Sequence, residues 1–365
     1  MEVLKLFKKL IESKSVTPDD GGLLDFIASY LDDFEAIRVD SNGVKNLFLY
    51  KEFGEGDHFC FAGHVDVVPA GDGWSSDPFV LTQKDGYLYG RGTQDMKSGV
   101  AAFTQACKEV KNFKGTLSIL LTSDEEGEAT DGTIKVLEYL KEHNLLPHYA
   151  VVAEPTSEDV FGDAIKVGRR GSINGYLTIK GKQGHAAYPE KSLNPVHIFA
   201  PKLACMAGVN LDNGDEYFAP SKFVVTDIRS GMEVTNVTPN ELKMMFNVRN
   251  NTQTDQESIN KFVAKHLEGI EYELKLTQGS YPFMTQTDTK VVQNLDSAIF
   301  NVTGVKTNYS TAGGTSDARF MPSFGIKVVE FGVKNDTIHS VDERTTAKEV
   351  TQLFEVFKNL IQNWK

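Results

Sequence analysis

The chain has 365 residues, more than one hydrophobic core usually serves, so two domains are expected. Its formal net charge of −12 and the lack of a basic, aromatic-rich patch argue against partners such as nucleic acid or anionic lipid. The cysteines Cys60, Cys107 and Cys205 are widely spaced and odd in number, which gives no disulfide framework and no Cys-x-x-Cys metal motif.

The N-terminal segment, residues 1–20, predicts an amphipathic helix, because apolar residues recur at helical spacing through Val3, Leu4, Phe7, Leu10 and Ile11. It lacks the apolar stretch of a signal peptide, and its acidic residues are unlike those of a transit peptide. No apolar run approaches membrane-spanning length. We therefore expect a cytoplasmic protein without a membrane partner.

Strand and helix patterns alternate through the first half of the chain. HFCFAG, TLSILLTS and YAVVAEP are short apolar segments typical of buried strands. MKSGVAAFTQACKEV and TIKVLEYLKEHN carry apolar residues three and four positions apart, which predicts helices. Strands alternating with helices indicate an α/β sheet covered on both faces.

The middle of the chain changes character. SINGYLTIKG, KFVVTDIRSG, ELKMMFNVRN and YELKLTQG predict strands, and NPVHIFAPKLACMAG and DQESINKFVAKHLEG predict helices. Their order is β-α-β-β-α-β, the ferredoxin-like pattern. We therefore expect a smaller domain at residues 171–281.

The end of the chain returns to the first style. GIKVVEFG predicts a strand, and residues 345–364 predict a long helix in which Thr346 and Glu349 form a capping box. The α/β domain is thus expected at residues 1–170 and 282–365, interrupted by the smaller domain.

Histidines and carboxylates follow several of the predicted strands. They are His64, Asp66, Asp95, Glu125, Glu126, Glu154 and His339. In open α/β sheets the edge at the carboxyl ends of the strands is where ligands bind. Each residue alone is more often structural or solvated, but together they form the ligand set of a site for hydrophilic divalent metals. Without cations, carboxylates this close would repel one another.

Charge counting indicates two ions. We take as ligands two neutral histidines and three carboxylates, namely His64, His339, Asp95, Glu126 and Glu154. The three carboxylates and one bridging hydroxide carry charge that two divalent zinc ions balance.

Two further residues support this set. Residues two apart on a strand point to the same side, so the Asp66 carboxylate is expected to reach the outer ring nitrogen of His64 without binding metal. Glu125 and Glu126 point opposite ways in extended backbone, so one binds metal while the other faces the bound water as a base. The sequence does not decide between these two glutamates.

Six segments resemble the M20 family of dinuclear zinc metallopeptidases and amidohydrolases. They are GHVDVVP, GRGTQDMKSG, TSDEEGE, AEPTS, KGKQGHAAYPEKSLNP and IHSVDE, spread from residue 63 to 343. Within the family, GRRGSINGYLTIKGKQGHAAYP and STAGGTSDARF are most similar to members that remove succinate from N-succinyl-L,L-diaminopimelate. The resemblance implies a mixed-sheet zinc-peptidase catalytic domain interrupted by a smaller ferredoxin-like α+β dimerisation (lid) domain.

The resemblance also implies roles for the metal-site residues. His64 and Glu154 would bind one zinc, Glu126 and His339 the other, and Asp95 both, with cobalt able to substitute for zinc. Glu125 would be the general base, and Asp66 the partner of His64.

A homodimer formed through the lid domain is implied as well, with His185 entering the partner subunit's active site to stabilise the oxyanion. The residues implied for substrate binding are Arg169, Arg249, Asn236, Gly314, Thr315 and Asn335. Arginine suits this role because its planar fork pairs with a carboxylate.

Two positions depart from the family pattern. Ala318 stands where the family has glycine, so the local turn is expected to differ if that position needs an unusual backbone angle. Asp342 stands where asparagine is frequent, and we expect its charge to influence His339. Three other interpretations stay open: another deacylase, such as an acetylornithine deacetylase or an aminoacylase; a mononuclear site; and a non-catalytic metal-binding or peptide-binding protein.

Overall fold

The structure, a computed structural model, describes residues 1–365. The chain divides into two compact units. The larger unit contains Met1–Gly168, Met284–Ser310 and Ser316–Lys365, and the smaller unit contains Arg169–Phe283 and Thr311–Thr315. No helix combines the length and apolar composition needed to traverse a lipid bilayer.

The α-helices are, in chain order, α1 Glu2–Ile11, α2 Leu23–Tyr30, α3 Lys97–Glu109, α4 Thr133–Glu142, α5 Pro195–Leu203, α6 Gln256–His266, α7 Lys290–Thr303 and α8 Ala347–Gln362. Two 3-10 segments lie at Pro189–Lys191 and Asp317–Phe324.

The strands are, in chain order, β1 Glu35–Arg38, β2 Asn46–Glu52, β3 Asp57–His64, β4 Thr82–Lys84, β5 Tyr87–Tyr89, β6 Gly115–Thr122, β7 Tyr149–Val152, β8 Ala164–Lys166, β9 Gly168–Arg169, β10 Ser172–Lys180, β11 Gly184–His185, β12 Phe223–Ser230, β13 Val237–Thr238, β14 Glu241–Val248, β15 Tyr272–Ser280, β16 Phe283–Met284, β17 Asn308–Ser310, β18 Lys327–Glu330 and β19 Arg344–Thr345.

An eight-stranded sheet forms the centre of the larger unit, in the order β1-β2-β6-β3-β7-β18-β8-β17. The neighbours β6, β3, β7 and β18 are parallel, whereas β1, β2 and β8 pair antiparallel with β2, β6 and β18. The sheet is therefore mixed, as expected. The four central parallel strands are almost entirely buried, which explains their unbroken apolar sequences. Their carboxyl ends share one edge of the sheet.

Helix α8 shows how the flanking helices are specified. Its capping box forms as predicted: the Glu349 main-chain N–H donates to Thr346 Oγ1 and the Thr346 N–H donates to the Glu349 carboxylate, both at 3.1 Å. Its apolar stripe is buried, and the Phe357 ring lies 4.9 Å from the ring of Phe61 on β3. Capping and stripe together attach α8 to the central sheet.

The smaller unit has the predicted β-α-β-β-α-β order, and its four-stranded sheet runs β12-β14-β10-β15. Helices α5 and α6 cover one face, because Phe199 and Val263 join the apolar cluster made by the strands. The rings of Phe223 and Phe246 stack at 4.1 Å within this core. A Cβ on Gly175 would lie 2.0 Å from the Phe246 ring, so glycine is what lets that ring pack.

Candidate metal centre and active site

Loops following the four central parallel strands carry most of the polar residues of interest. His64 is the last residue of β3, Glu125 and Glu126 lie in the turn after β6, and Glu154 follows β7 by two residues. His339 belongs to the loop after β18. Asp95 comes from outside the sheet, two residues before α3. The sheet edge therefore brings together side chains that are far apart in sequence.

The carboxylate of Asp95 lies between the two histidines. Its Oδ1 is 3.1 Å from His64 Nε2, and its Oδ2 is 3.3 Å from His339 Nε2. His64 is buried, whereas the His339 side chain is 48 % exposed. One carboxylate thus presents a separate oxygen to each imidazole.

The glutamates complete two overlapping groups. In one, His64, Asp95 and Glu126 place their ligand atoms within 4.8 Å of one another, and in the other His64, Glu125 and Glu154 do the same. Glu126 Oε1 lies 2.9 Å from His339 Nε2. Glu154 Oε1 and Glu125 Oε2 lie 3.8 and 3.9 Å from His64 Nε2. The structure therefore assembles all five predicted ligands, with Glu125 beside them.

Asp66 lies beside the outer ring nitrogen of His64, but its main-chain oxygen is closer to that nitrogen than its carboxylate is. The Nδ1–H of His64 donates to the main-chain oxygen of Asp66 at 2.9 Å, while the Asp66 carboxylate is 3.6 Å away. The reason is that β3 ends at His64, so strand alternation does not extend to Asp66. The carboxylate instead accepts the main-chain N–H of Glu126 at 3.2 Å. Because a carbonyl can only accept, Nδ1 carries a proton, and Nε2 is the ring nitrogen that faces Asp95.

Crowding of charge shifts several pKa values. Burial together with Asp95 and Glu125 raises the pKa of Glu154 well above its ordinary value. Burial also raises the pKa of Glu125, to about 8. Hydrogen bonds to Asp95 and Glu126 raise the pKa of His339 to about 10. Burial alone would lower the pKa of His64, but its carboxylate neighbours raise it well above the ordinary value.

The donor set fits divalent cations. Two imidazoles and four carboxylates form a mostly buried cluster in which protons on the histidines supply the nearby positive charge. The raised pKa values of Glu125 and Glu154 show that this compensation is incomplete. Nitrogen and oxygen ligands in this proportion suit zinc and similar ions. Cations would replace the protons and relieve the carboxylate repulsion.

The protein stripped of divalent cations is expected to lose thermal stability as pH rises from about 6.5 towards 10. The pKa of His339 is raised from 6.5 to about 10, so folded protein holds in this window a proton that unfolded protein releases. The pKa of Glu125, raised from 4.5 to about 8, acts in the same direction at lower pH. Unfolding curves of chelator-treated protein at pH 6 and pH 9 measure the effect.

Replacing His339 by glutamine should flatten this dependence between pH 6.5 and 9, while the exposed His143→Gln serves as the matched control. Equal slopes for wild type and the His339 variant would contradict the assignment.

The two departures from the family pattern have structural outcomes. Ala318 lies in the 3-10 segment Asp317–Phe324 and does not have a positive φ, so alanine is accommodated. Asp342 accepts from the main-chain N–H and the hydroxyl of Ser75, at 2.9 and 3.0 Å. Asp95 and Glu126 are the largest causes of the raised pKa of His339, and an influence of Asp342 on that histidine stays a prediction.

Arg169 in the smaller unit is buried, and its guanidinium Nη1 donates to the main-chain oxygens of Ala312 and Gly314, at 3.1 and 3.0 Å. Gly313 has a φ of 100°, and a Cβ there would lie 2.6 Å from Arg169 Nη1. Glycine at 313 therefore admits the guanidinium, whereas Gly314 faces open space. This contact to the loop carrying Thr315 was not foreseen from the sequence.

The other predicted residues are placed as follows. His185 on β11 and Val237 on β13 are paired in a short ladder, and the Ala186 N–H donates to the Asn236 main-chain oxygen at 2.9 Å, so His185 and Asn236 are neighbours within the smaller unit. Arg249 is exposed directly after β14. Asn335, in the larger unit, donates its main-chain N–H to Ser157 at 3.2 Å.

A buried carboxylate missed from the sequence is Glu343. It accepts main-chain N–H groups of Gly92, Gln94 and Asp95, at 2.9, 2.7 and 3.2 Å. The sequence signal that could have identified it is its position at the end of the IHSVDE segment.

Residues 60–363 match the sequence profile of peptidase family M20/M25/M40. The succinyl-diaminopimelate desuccinylases of Sulfurimonas denitrificans and Nautilia profundicola are 70 % and 64 % identical to the chain, each covering 100 % of both sequences.

Two solved structures share the fold. Aminopeptidase PepT of Bacillus cereus matches with a TM-score of 0.81 at 20 % identity, over 99 % of this chain and 97 % of that one. The metallo-carboxypeptidase Sso-CP2 of Sulfolobus solfataricus matches with a TM-score of 0.77 at 15 % identity, over 100 % and 99 %.

Proposed function

The chain belongs to peptidase family M20/M25/M40, and on that premise we propose that it is a metal-dependent amide hydrolase that releases succinate from N-succinyl-L,L-diaminopimelate. The second product is L,L-diaminopimelate, a precursor in bacterial lysine and cell-wall biosynthesis. Relatives named for this reaction are 56–70 % identical over 97–100 % of this chain and support the substrate. The observation that carries the chemistry is the Asp95 carboxylate between His64 and His339.

Two divalent ions, zinc or substituting cobalt, are held in this proposal by the five residues already grouped. His64 and Glu154 would hold one ion, Glu126 and His339 would hold the other, and Asp95 would contribute to both. When bound, such ions polarise an amide carbonyl and lower the pKa of water to about 7. Asp66 orients two of these residues. Its main-chain oxygen accepts from His64 Nδ1–H, and its carboxylate accepts from the main-chain N–H of Glu126.

Glu125 moves the proton. Its carboxylate accepts a proton from the attacking water, and returns it to the amine nitrogen as the C–N bond breaks. Its pKa of about 8 arises from burial and surrounding carboxylates, and neighbouring cations would lower it, because opposite charge favours the ionised form. The proton acceptor is then ionised near neutral pH, as a general base requires.

Residues of the smaller unit serve recognition and oxyanion stabilisation in this proposal. The unit is a dimerisation (lid) domain, and His185 and Asn236 act at the partner subunit's active site. Because His185 and Asn236 are neighbours in the smaller unit, they can be delivered together. Arg249, Arg169, Gly314 and Thr315 bind the substrate carboxylates, with Asn335 of the larger unit adding a hydrogen bond.

The purified protein with added zinc is expected to release succinate from N-succinyl-L,L-diaminopimelate, and to release much less acetate from N-acetylornithine. Arg169→Ala is expected to lower kcat/KM for the succinylated substrate about 10- to 100-fold more than for the acetylated one, because a charge-assisted pair is lost. Product release by chromatography, with a chelated control, measures both.

The outcomes separate the interpretations. Preference for the acetylated substrate would favour another deacylase and contradict the proposed substrate. An equal loss on both substrates would show that Arg169 acts only on the loop through Ala312 and Gly314. Metal binding without hydrolysis of either amide would overturn the enzymatic proposal.

A further inference from the structure

Glu343 has a saturated hydrogen-bonding environment. Its side chain is fully buried, and Arg91 Nη1 and the Gly92 N–H donate to its Oε2, at 2.8 and 2.9 Å. The main-chain N–H groups of Gln94 and Asp95 donate to its Oε1, at 2.7 and 3.2 Å. One carboxylate therefore organises the whole turn that ends at Asp95.

Two side chains of that turn reach the loop that carries His339. The Nη2 of Arg91 lies 3.5 Å from the main-chain oxygen of His339. The Gln94 amide donates to Asp336 Oδ1 at 2.6 Å and accepts from the N–H and hydroxyl of Thr337, at 2.9 and 3.0 Å. Arg91 and Gln94 thus connect the turn that ends at Asp95 with the loop that carries His339.

The donor pattern requires a carboxylate. Four donors point at two oxygens, so an amide in its place would turn an N–H2 group towards at least one N–H. Unsatisfied buried donors are costly, and the turn would shift to relieve them. Burial raises the pKa of Glu343, but these donors oppose that rise and favour the ionised form.

We propose that Glu343, together with Arg91 and Gln94, is a positioning group that sets the separation of Asp95 and His339. Asp95 contacts His339 at 3.3 Å across these two segments, so a shift of either segment changes the spacing of the ligands. This inference rests on the proposed metal site but not on the identity of the substrate. Glu343 touches no reacting atom and acts through the residues it holds.

The test compares Glu343→Gln with wild type and with the matched control Asp342→Asn. Zinc affinity is measured by competition with a chromophoric chelator, and the Co²⁺ absorption spectrum reports ligand geometry. Glu343→Gln is expected to weaken zinc binding about 10- to 100-fold and to change the spectrum, as loss of a group that orients ligands does. Asp342→Asn should keep both, because the asparagine oxygen can still accept from Ser75 and asparagine tolerates the φ of 58°.

A second variant tests the proposal even if Glu343→Gln does not fold. Gln94→Ala removes only the link to Asp336 and Thr337 and is expected to weaken zinc binding several-fold with the circular dichroism spectrum retained. Folded variants with wild-type affinity and spectrum would overturn the inference, as would an equal effect of Asp342→Asn. Wild-type protein that binds no divalent metal would instead remove the proposed function.

Discussion

Replacing Glu125 by alanine is expected to lower kcat for amide hydrolysis by about 100- to 10,000-fold while the metal content stays unchanged. Glu125 lies beside the ligand cluster, and its pKa of about 8 is closer to neutral pH than that of an ordinary glutamate, as suits a general base. It makes none of the 2.9 to 3.3 Å contacts that join Asp95, Glu126 and the two histidines. Removing it leaves those contacts intact and takes away the proposed proton acceptor. Succinate release and metal content of the same preparation measure the two effects.

Two neighbouring glutamates make matched controls. Glu128→Ala changes an exposed carboxylate three residues away and should leave kcat and metal content unchanged. Glu126→Ala removes the carboxylate bonded to His339 and should lose metal as well as activity. Turnover of Glu125→Ala near that of wild type would contradict the assignment of Glu125 as the general base. Loss of metal from this variant would place Glu125 among the ligands, as its group with His64 and Glu154 allows.

The sequence predicts the fold class because the periodicity of its elements matches the way they are buried. The central strands are apolar throughout since both faces are covered, and the smaller unit alternates since one face is open. The strand order of the large sheet could not be predicted, because it depends on packing between distant segments. The ferredoxin-like order of elements was confirmed.

Several elements were not predicted or were bounded differently. Helix α7 is rich in β-branched residues, which favour strands, yet Val291, Leu295 and Ile299 form a buried helical stripe. The helix predicted over residues 194–208 ends at Leu203. The chain then turns, and the main-chain N–H of Gly208 donates to the main-chain oxygen of Phe223. Tertiary contacts override local preference at both places.

The candidate site, like the fold, could be predicted from the sequence only in part. Residues at or just beyond the carboxyl ends of strands, such as His64 and Glu154, are predictable because strand direction carries them to one edge. The position of Asp95 between the histidines is not, since it depends on the turn held by Glu343. The main-chain contact of Asp66 with His64 is not predictable either, because the chain leaves the strand at that point. Main-chain hydrogen bonds therefore determine those contacts of the site that the spacing of residues in the sequence does not predict.

Co-expression of Glu125→Ala and His185→Ala chains is expected to restore activity that each variant lacks alone. His185→Ala should lower kcat about 100- to 1,000-fold, as loss of an oxyanion donor does. If His185 acts at the partner's site, a mixed dimer has one site with both residues and one site with neither. With random assortment half of the dimers are mixed, so the preparation recovers about one quarter of wild-type activity.

Different affinity tags on the two chains allow the mixed dimer to be isolated, and its activity should rise to about one half of wild type. The control pair, Glu125→Ala with Glu126→Ala, changes only the larger unit, so every site of the mixed dimer lacks one residue and no activity returns. A mixed Glu125→Ala and His185→Ala dimer without activity, or a fully active wild-type monomer, would contradict the role given to His185. Recovery in the first pair and none in the second can arise only if a complete site draws its base and its oxyanion donor from different chains.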